Sequence, residues 1–205
     1  MTATPATATR RSPGRPSTGA RERILEGALA VLKRDGYAGL TTAKVAAASG
    51  QNKGLIAYHF GSKQGLVEAV AGRVSEILIA EVLAEVGSPG SAADLVRGLT
   101  RGIWRVMERD PGLQRVYFDL ASQSVVEPRV NEIMAGTKVA FRETLVRLMS
   151  ALPDGPAASG LEGAAVFLLA GLEGLALERL DRGETPELSQ ARALFQAAGA
   201  AAIRG

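Results

Sequence analysis

The amino-acid sequence predicts an all-α fold of about nine helices, in which a small N-terminal three-helix domain leads into a larger C-terminal helical bundle. Three observations point there. Apolar residues recur at spacings of three and four almost throughout, and no run alternates with the period of two that a half-buried strand needs. Gly, Pro, Asp and Ser cluster between these stripes and divide them into separate helices. With 205 residues, 46% hydrophobic and 22% charged, the chain has enough apolar material for a core and enough charge for a surface.

Residues 1–19, rich in Thr, Pro and Ala and carrying Arg10, Arg11 and Arg15, read as a flexible basic arm without the continuous apolar stretch of a secretory signal. Ile24, Leu25, Ala28, Val31 and Leu32 then form the stripe of a first helix. Asp35-Gly36 stops it, because glycine takes the left-handed cap conformation cheaply. Thr41 is placed to cap a short second helix from Thr42 to about Ala48, with Val45 and Ala46 inward, and Ser49-Gly50 breaks it. A third short helix follows from about Lys53 to Phe60. Ser62 caps a long fourth helix from Lys63 to about Val86, along which Leu66, Val67, Val70, Val74, Ile77 and Leu78 share a face.

Gly87-Ser88-Pro89-Gly90 is turn chemistry. Leu95, Leu99, Ile103, Val106 and Met107 define a fifth helix that stops near Asp110-Pro111, and Leu113, Val116, Tyr117 and Leu120 define a sixth. Pro128 sits in the first turn of a seventh, which directs Val130, Ile133, Met134, Phe141, Leu145, Leu148 and Met149 to the core and ends at Pro153-Asp154-Gly155-Pro156. The eighth, about Gly160 to Arg182, is apolar around much of its circumference and so must be covered on more than one side. The ninth starts at Thr185-Pro186, a cap and a first-turn proline, and carries Leu188, Ala191, Leu194, Phe195, Ala198 and Ala202 along one expected face.

Composition narrows the chemistry. The absence of cysteine excludes disulfides, thiolate zinc sites and cysteine nucleophiles, and permits the reducing cytoplasm, which is the expected location. The longest apolar or small run, Gly163 to Leu172, falls short of the ~20 residues that span a bilayer, so no membrane partner is expected. With one histidine, no metal-ligand cluster and no phosphate-binding glycine loop, catalysis would have to rest on scattered carboxylates; no enzyme activity, metal or cofactor is expected. Charge is unevenly placed. Residues 1–70 hold ten Lys/Arg against four Asp/Glu, whereas residues 71–205 hold fourteen against seventeen. A basic front joined to a mildly acidic remainder suits a chain whose front end meets a polyanion such as DNA, and is equally an uneven solvated surface.

The segment from Leu40 to Lys63 is the informative one. Two short helices cross tightly when the contact residue is small and the turn accepts a positive φ, and Ala46 and Gly50 stand four residues apart in those places. Val45 and Ile56 can seal the underside. This is a helix-turn-helix, the motif that lays its second helix in the major groove while the first crosses the backbone. In Leu40-Thr41-Thr42, Val45-Ala46, Gly50, Tyr58-His59-Phe60, Ser62-Lys63 and Leu66, preceded by an amphipathic helix and Gly36-Tyr37, the segment resembles the N-terminal domain of the TetR family of bacterial transcriptional regulators.

The resemblance implies a helix-turn-helix domain over about residues 20–66, with the motif at about 41–60, and a ligand-binding and dimerisation domain over 67–205. It implies that Thr42, Lys44, His59 and Lys63 meet phosphates of a double-stranded DNA operator, and that Asn52, Lys53, Gly54, Leu55 and Tyr58 face base edges or groove walls. Phosphate contacts set register, and Asn and Lys can read purine edges. Phe60 is expected to be buried and Tyr58 to lie at the DNA. Thr42 and Asn52 read equally as helix caps. Three positions depart from the family pattern. Ala57 stands where relatives carry an aromatic, Gln51 replaces an apolar turn residue and either points to solvent or joins base recognition, and Gly65 replaces the acidic partner of Ser62.

In the second domain Trp104, Met107, Tyr117, Phe118, Phe141, Met149 and Phe167 are either core or the lining of a cavity for a small-molecule effector, with Asp119, Gln123 and Glu173 as its candidate polar groups. Gly163, Ala170, Gly171 and Gly174 allow close approach of another helix. The resemblance therefore implies a homodimer through the eighth and ninth helices and a palindromic operator. A ligand-responsive repressor is the reading that follows, with a helical small-molecule carrier or adaptor that does not bind DNA as the alternative.

Overall fold

The structure is a computed structural model that describes residues 18–153 and 160–204. Residues 1–17, most of the expected basic arm, residues 154–159, which hold most of the expected stop of the seventh helix, and residue 205 lie outside the described residues. Among the described residues there are nine α-helices and no strand: α1 (Thr18–Asp35), α2 (Thr42–Ser49), α3 (Lys53–Phe60), α4 (Lys63–Val86), α5 (Ala92–Arg109), α6 (Pro111–Ser124), α7 (Pro128–Ser150), α8 (Leu161–Arg182) and α9 (Pro186–Arg204).

Side-chain caps start most of them. Thr41 Oγ1 accepts from the Lys44 amide, Asn52 Oδ1 from Leu55, Ser62 Oγ from Gly65, Ser91 Oγ from Asp94, Asp110 Oδ1 from Leu113 and Thr185 Oγ1 from Leu188. Each satisfies an amide that the helix leaves without an internal partner. Pro111 and Pro128 occupy first-turn positions, where the missing N–H costs nothing. At the other end of α2, Gly50 adopts φ 64° and returns its amide to the Ala46 carbonyl, making the turn that the motif requires.

α1, α2 and α3 pack together with the first turns of α4 as a head, and α4 runs on from it into a body built on α5, α6, α7, α8 and α9. Val45 and Ile56 are buried under the two short helices, with Ile24, Leu40 and Leu66 beneath them. Burying one such side chain stabilises the head by roughly 1.5–3 kcal/mol. α4 lies closest to α5, where a Cβ added at Gly102 would come within 2.7 Å of Val82 Cα and one at Gly98 within 2.8 Å of Val86 Cα. The crossing is therefore backbone against backbone.

Two expectations need correction. On α9 the buried face is Leu188, Phe195, Gly199, Ala200 and Ile203, whereas Ala191, Leu194, Ala198 and Ala202 are exposed. The inward face turns on Gly199, which lies so close to Leu168 and Val96 that a Cβ there would come within 2.9 Å of the leucine. Phe60, expected to be buried, is half-buried, its ring lying under the Arg21 guanidinium. Among the described residues α8 is covered on one side: Leu161, Ala165, Leu168, Leu172 and Ala176 are buried, while Val166, Phe167 and Leu177 are exposed.

Candidate nucleic-acid interface and inner cleft

α3 turns Ile56 into the head, and that fixes what its opposite face shows. Lys53, Gly54, Ala57 and Tyr58 are exposed, Tyr58 by 68%, which is unusual for a ring of its size and leaves it standing clear of the surface. Leu55 is half-buried against the core, so only part of it reaches outward. Asn52 is exposed, but its Oδ1 is engaged as the α3 cap. Gln51 is folded back on its own turn, its Nε2 donating to the carbonyls of Ser49 and Gly50 at 3.4 and 3.1 Å.

The cationic groups differ in freedom. Lys53 and Lys63 have no ion-pair partner among the described residues, and Lys63 Nζ stands 5.6 Å from the centre of the Tyr37 ring. Lys44 Nζ is 2.8 Å from Asp35 Oδ2, in a cluster of three charges that also includes Arg34. Hydrogen bonds from Arg34 and Lys44 hold the Asp35 carboxyl well below its ordinary range, so it remains an anion that competes with phosphate for Lys44. His59 is half-buried between the rings of Tyr58 and Phe60, and its Nε2 is enclosed, so that this nitrogen does not face a phosphate here. Thr42 opens α2 half-buried, with Thr41 as the cap.

Inside the body a partly open cleft lies among α4, α5, α6, α7 and α8. Leu78, Ile79, Val82, Ile103, Met134, Phe141, Leu169 and Leu172 make it apolar, and Ser75, Gln114, Tyr117, Thr137, Lys138 and Glu173 supply its polar groups. The Tyr117 hydroxyl donates to Glu173, and Lys138 Nζ lies 2.9 Å from the same carboxylate. Burial first, and then the Glu173 charge, push the Tyr117 hydroxyl far above its ordinary value of 10.0, so it stays a donor.

Of the seven side chains expected at a cavity, Tyr117 and Phe141 line this one, and so does Glu173 of the three polar candidates. The others lie elsewhere. Trp104 donates from Nε1 to Glu184 at 2.8 Å and is flanked by Arg179 and Arg192, both within about 5 Å of its ring centre. Met107 and Met149 are buried in the core, Phe118 packs edge-on to Tyr117, and Phe167 is on the exposed side of α8. Asp119 accepts from the Tyr37 amide at 2.6 Å instead of facing the cleft, and the Gln123 carbonyl accepts from Glu127 in the turn between α6 and α7. Ser75, Gln114, Thr137 and Lys138 were not expected from the sequence, where they are polar residues on helices marked mainly by their apolar stripes.

Among the described residues no group of three or more His, Cys, Asp or Glu is placed to hold a metal, and no helix is long and apolar enough to cross a membrane. The short helix pair displays one face of its second helix, which is the arrangement of a helix-turn-helix motif, and it is mounted on a helical body with an inner apolar cleft. Residues 24–70 match the family described as bacterial regulatory proteins, tetR family, and residues 92–204, more than half of the chain, match the BetI-type transcriptional repressor, C-terminal. The chain belongs to the TetR family.

The HTH-type transcriptional repressor AcnR of Corynebacterium glutamicum is 37% identical over 82 residues, 40% of this chain and 41% of AcnR. The chain thus matches about two fifths of the length of that relative. Among solved structures, a transcriptional regulator from Rhodococcus sp. Rha1 superposes with a TM-score of 0.75 at 22% identity, over 90% of this chain and 98% of that one. The multidrug binding protein EbrR, complexed with imidazole, does so with a TM-score of 0.68 at 22% identity, over 89% and 95%. At these identities the two structures share the fold.

Proposed function

We propose that the protein is a ligand-responsive transcriptional repressor that acts in the cytoplasm and binds a palindromic DNA operator as a dimer. The observation that carries the reading is the outward face of α3, where Tyr58 and Lys53 are exposed beside Lys63 at the start of α4, both lysines without an ion-pair partner among the described residues. Lys63 and Thr42 meet phosphates from either side of the recognition helix, joined by Lys44 when it leaves Asp35 and by His59 through its Nδ1. Lys53, Gly54, Leu55 and Tyr58 meet the groove, and Asn52 and Gln51 contribute the amide atoms that their turn does not use.

The exposed small and apolar residues of α8, Gly163, Val166, Phe167, Ala170, Gly174 and Leu177, recur at helical spacing, as do Ala191, Leu194 and Ala198 on α9. These two stripes are the dimer interface, a four-helix contact with a symmetry mate. The inner cleft, lined in part by Tyr117 and Phe141, takes the effector, a reading supported by the multidrug-binding name of EbrR. An effector that prefers a conformation with differently spaced recognition helices shifts the dimer off DNA.

The test is a gel shift on the DNA flanking the protein's own gene. Lys63→Ala should weaken binding to every sequence alike and reduce the salt slope by about one, while Lys53→Ala should change which sequence is preferred. Equal effects of the two on all sequences would sink the assignment. Leu194→Glu should yield a monomer by sedimentation and abolish operator-specific binding.

A further inference from the structure

Gln114 is 2% exposed, lines the inner cleft from α6, and its Oε1 is buried without a hydrogen-bond partner among the described residues. A buried amide oxygen left unpaired is destabilising, so this atom is a standing demand for a donor. The charged groups of the cleft make no such demand. Lys138 Nζ lies 2.9 and 3.0 Å from the two oxygens of Glu173, and the Tyr117 hydroxyl donates to the same carboxylate. An anion entering the cleft would have to separate Lys138 from Glu173, and a cation would have to compete with Lys138. The other two hydroxyls of the lining are also engaged within the protein, Ser75 Oγ donating to Met134 Sδ at 3.6 Å and Thr137 Oγ1 to the Ile133 carbonyl at 2.8 Å, and the rest of the wall is aliphatic, aromatic or thioether.

From the unpaired Gln114 and the self-neutralised pair in the same cleft, we infer that the effector is an uncharged, largely apolar small molecule carrying one hydrogen-bond donor, a hydroxyl or an amide N–H, which Gln114 Oε1 accepts. The inference rests on the cleft being the effector site. Gln114 provides selectivity, because a ligand without the donor leaves the same oxygen buried and unpaired, whereas aliphatic contact is given to any apolar chain.

Isothermal titration of the full-length protein, without DNA, tests this with four probes of one chain length: 1-octanol, its isomer heptyl methyl ether, octanoate and octylammonium. The alcohol should bind about tenfold more tightly than the ether and than either ion, the difference that one buried hydrogen bond makes. In Gln114→Leu the alcohol's advantage over the ether should fall to about one while the ether binds as before, which also shows that the variant is folded. Equal affinity for alcohol and ether in the unmodified protein would overturn the inference. So would octanoate or octylammonium binding most tightly, an unchanged ratio in Gln114→Leu, or no saturable binding by any probe. Gel shifts with the same probes separate the two readings: tight alcohol binding that leaves operator occupancy unchanged refutes the effector role of the cleft and leaves its chemistry standing.

Discussion

A methyl group added at Gly102 has nowhere to go. It meets Val82 Cα and O at 2.7 Å, and one turn earlier a methyl on Gly98 meets Val86 Cα at 2.8 Å, both from backbone that cannot rotate aside. Gly102→Ala should therefore destabilise by about 1–3 kcal/mol in a denaturant titration, the usual penalty of overpacking. Gly136→Ala is the contrasting case. Gly136 lies inside α7, its added Cβ would meet nothing within 4 Å, and the substitution should stabilise by about 0.5–1 kcal/mol through lost backbone freedom in the unfolded chain. The two residues look alike in the sequence, since each is a glycine inside an apolar-striped helix. Gly50 could be read in advance because its need, a positive φ in a tight turn, is local. The need at Gly102 is created by a helix that the chain laid down some twenty residues earlier, and Gln114 was missed on the same ground, since the cleft it lines is built mostly from other helices.

At the scale of elements, α5, α8 and α9 are clasped around the only tryptophan. Trp104 Nε1 donates to Glu184 in the turn between α8 and α9, Arg179 reaches the Trp104 carbonyl at 3.0 Å, and Arg192 comes from α9. Burial pushes the Glu184 carboxyl up, but the hydrogen bonds from Trp104 and Ser189 and the charges of Arg192 and Arg179 together hold it below its ordinary value of 4.5. A carboxyl lowered by folding stabilises the fold above its unfolded pKa and loses that contribution as pH falls through the folded one. The gap in thermal midpoint between the unmodified protein and Glu184→Gln should be largest near neutrality and should close below about pH 4.5, the range in which unfolded glutamates take up protons. Trp104 emission should report the same loss. Helix boundaries were legible because caps and breakers are local: α3 and α4 fall on the expected residues, and α2 extends one further. Which face of α9 points inward was not legible. Its sequence carries two apolar stripes, and the buried one depends on Gly199 and Ala200, whose smallness suits a close approach and scores poorly as hydrophobicity.

For the whole molecule, α6 joins the continuous α4 in tying the two halves together. Its Gln114 and Tyr117 face the cleft, while Asp110 at its start pairs with Lys33 of α1 and Asp119 near its end accepts from the Tyr37 amide just after α1. Replacing both carboxylates, in Asp110→Ala with Asp119→Ala, should loosen the head without unpacking the body. Amide hydrogen exchange in α1, α2 and α3 should accelerate by about tenfold or more, the factor carried by ~1.4 kcal/mol, with α5 and α9 unchanged. Uniform acceleration would show that these two attachments do not matter separately. The double attachment also has a thermodynamic corollary. If a guest beside Tyr117 lowers the grip on a duplex by some factor, the duplex must lower the hold on the guest by that same factor, since the two occupancies are linked through one free energy. Promoter-bound molecules would then be the poorest detectors of the compound in the cell, and the copies adrift from DNA would fill first.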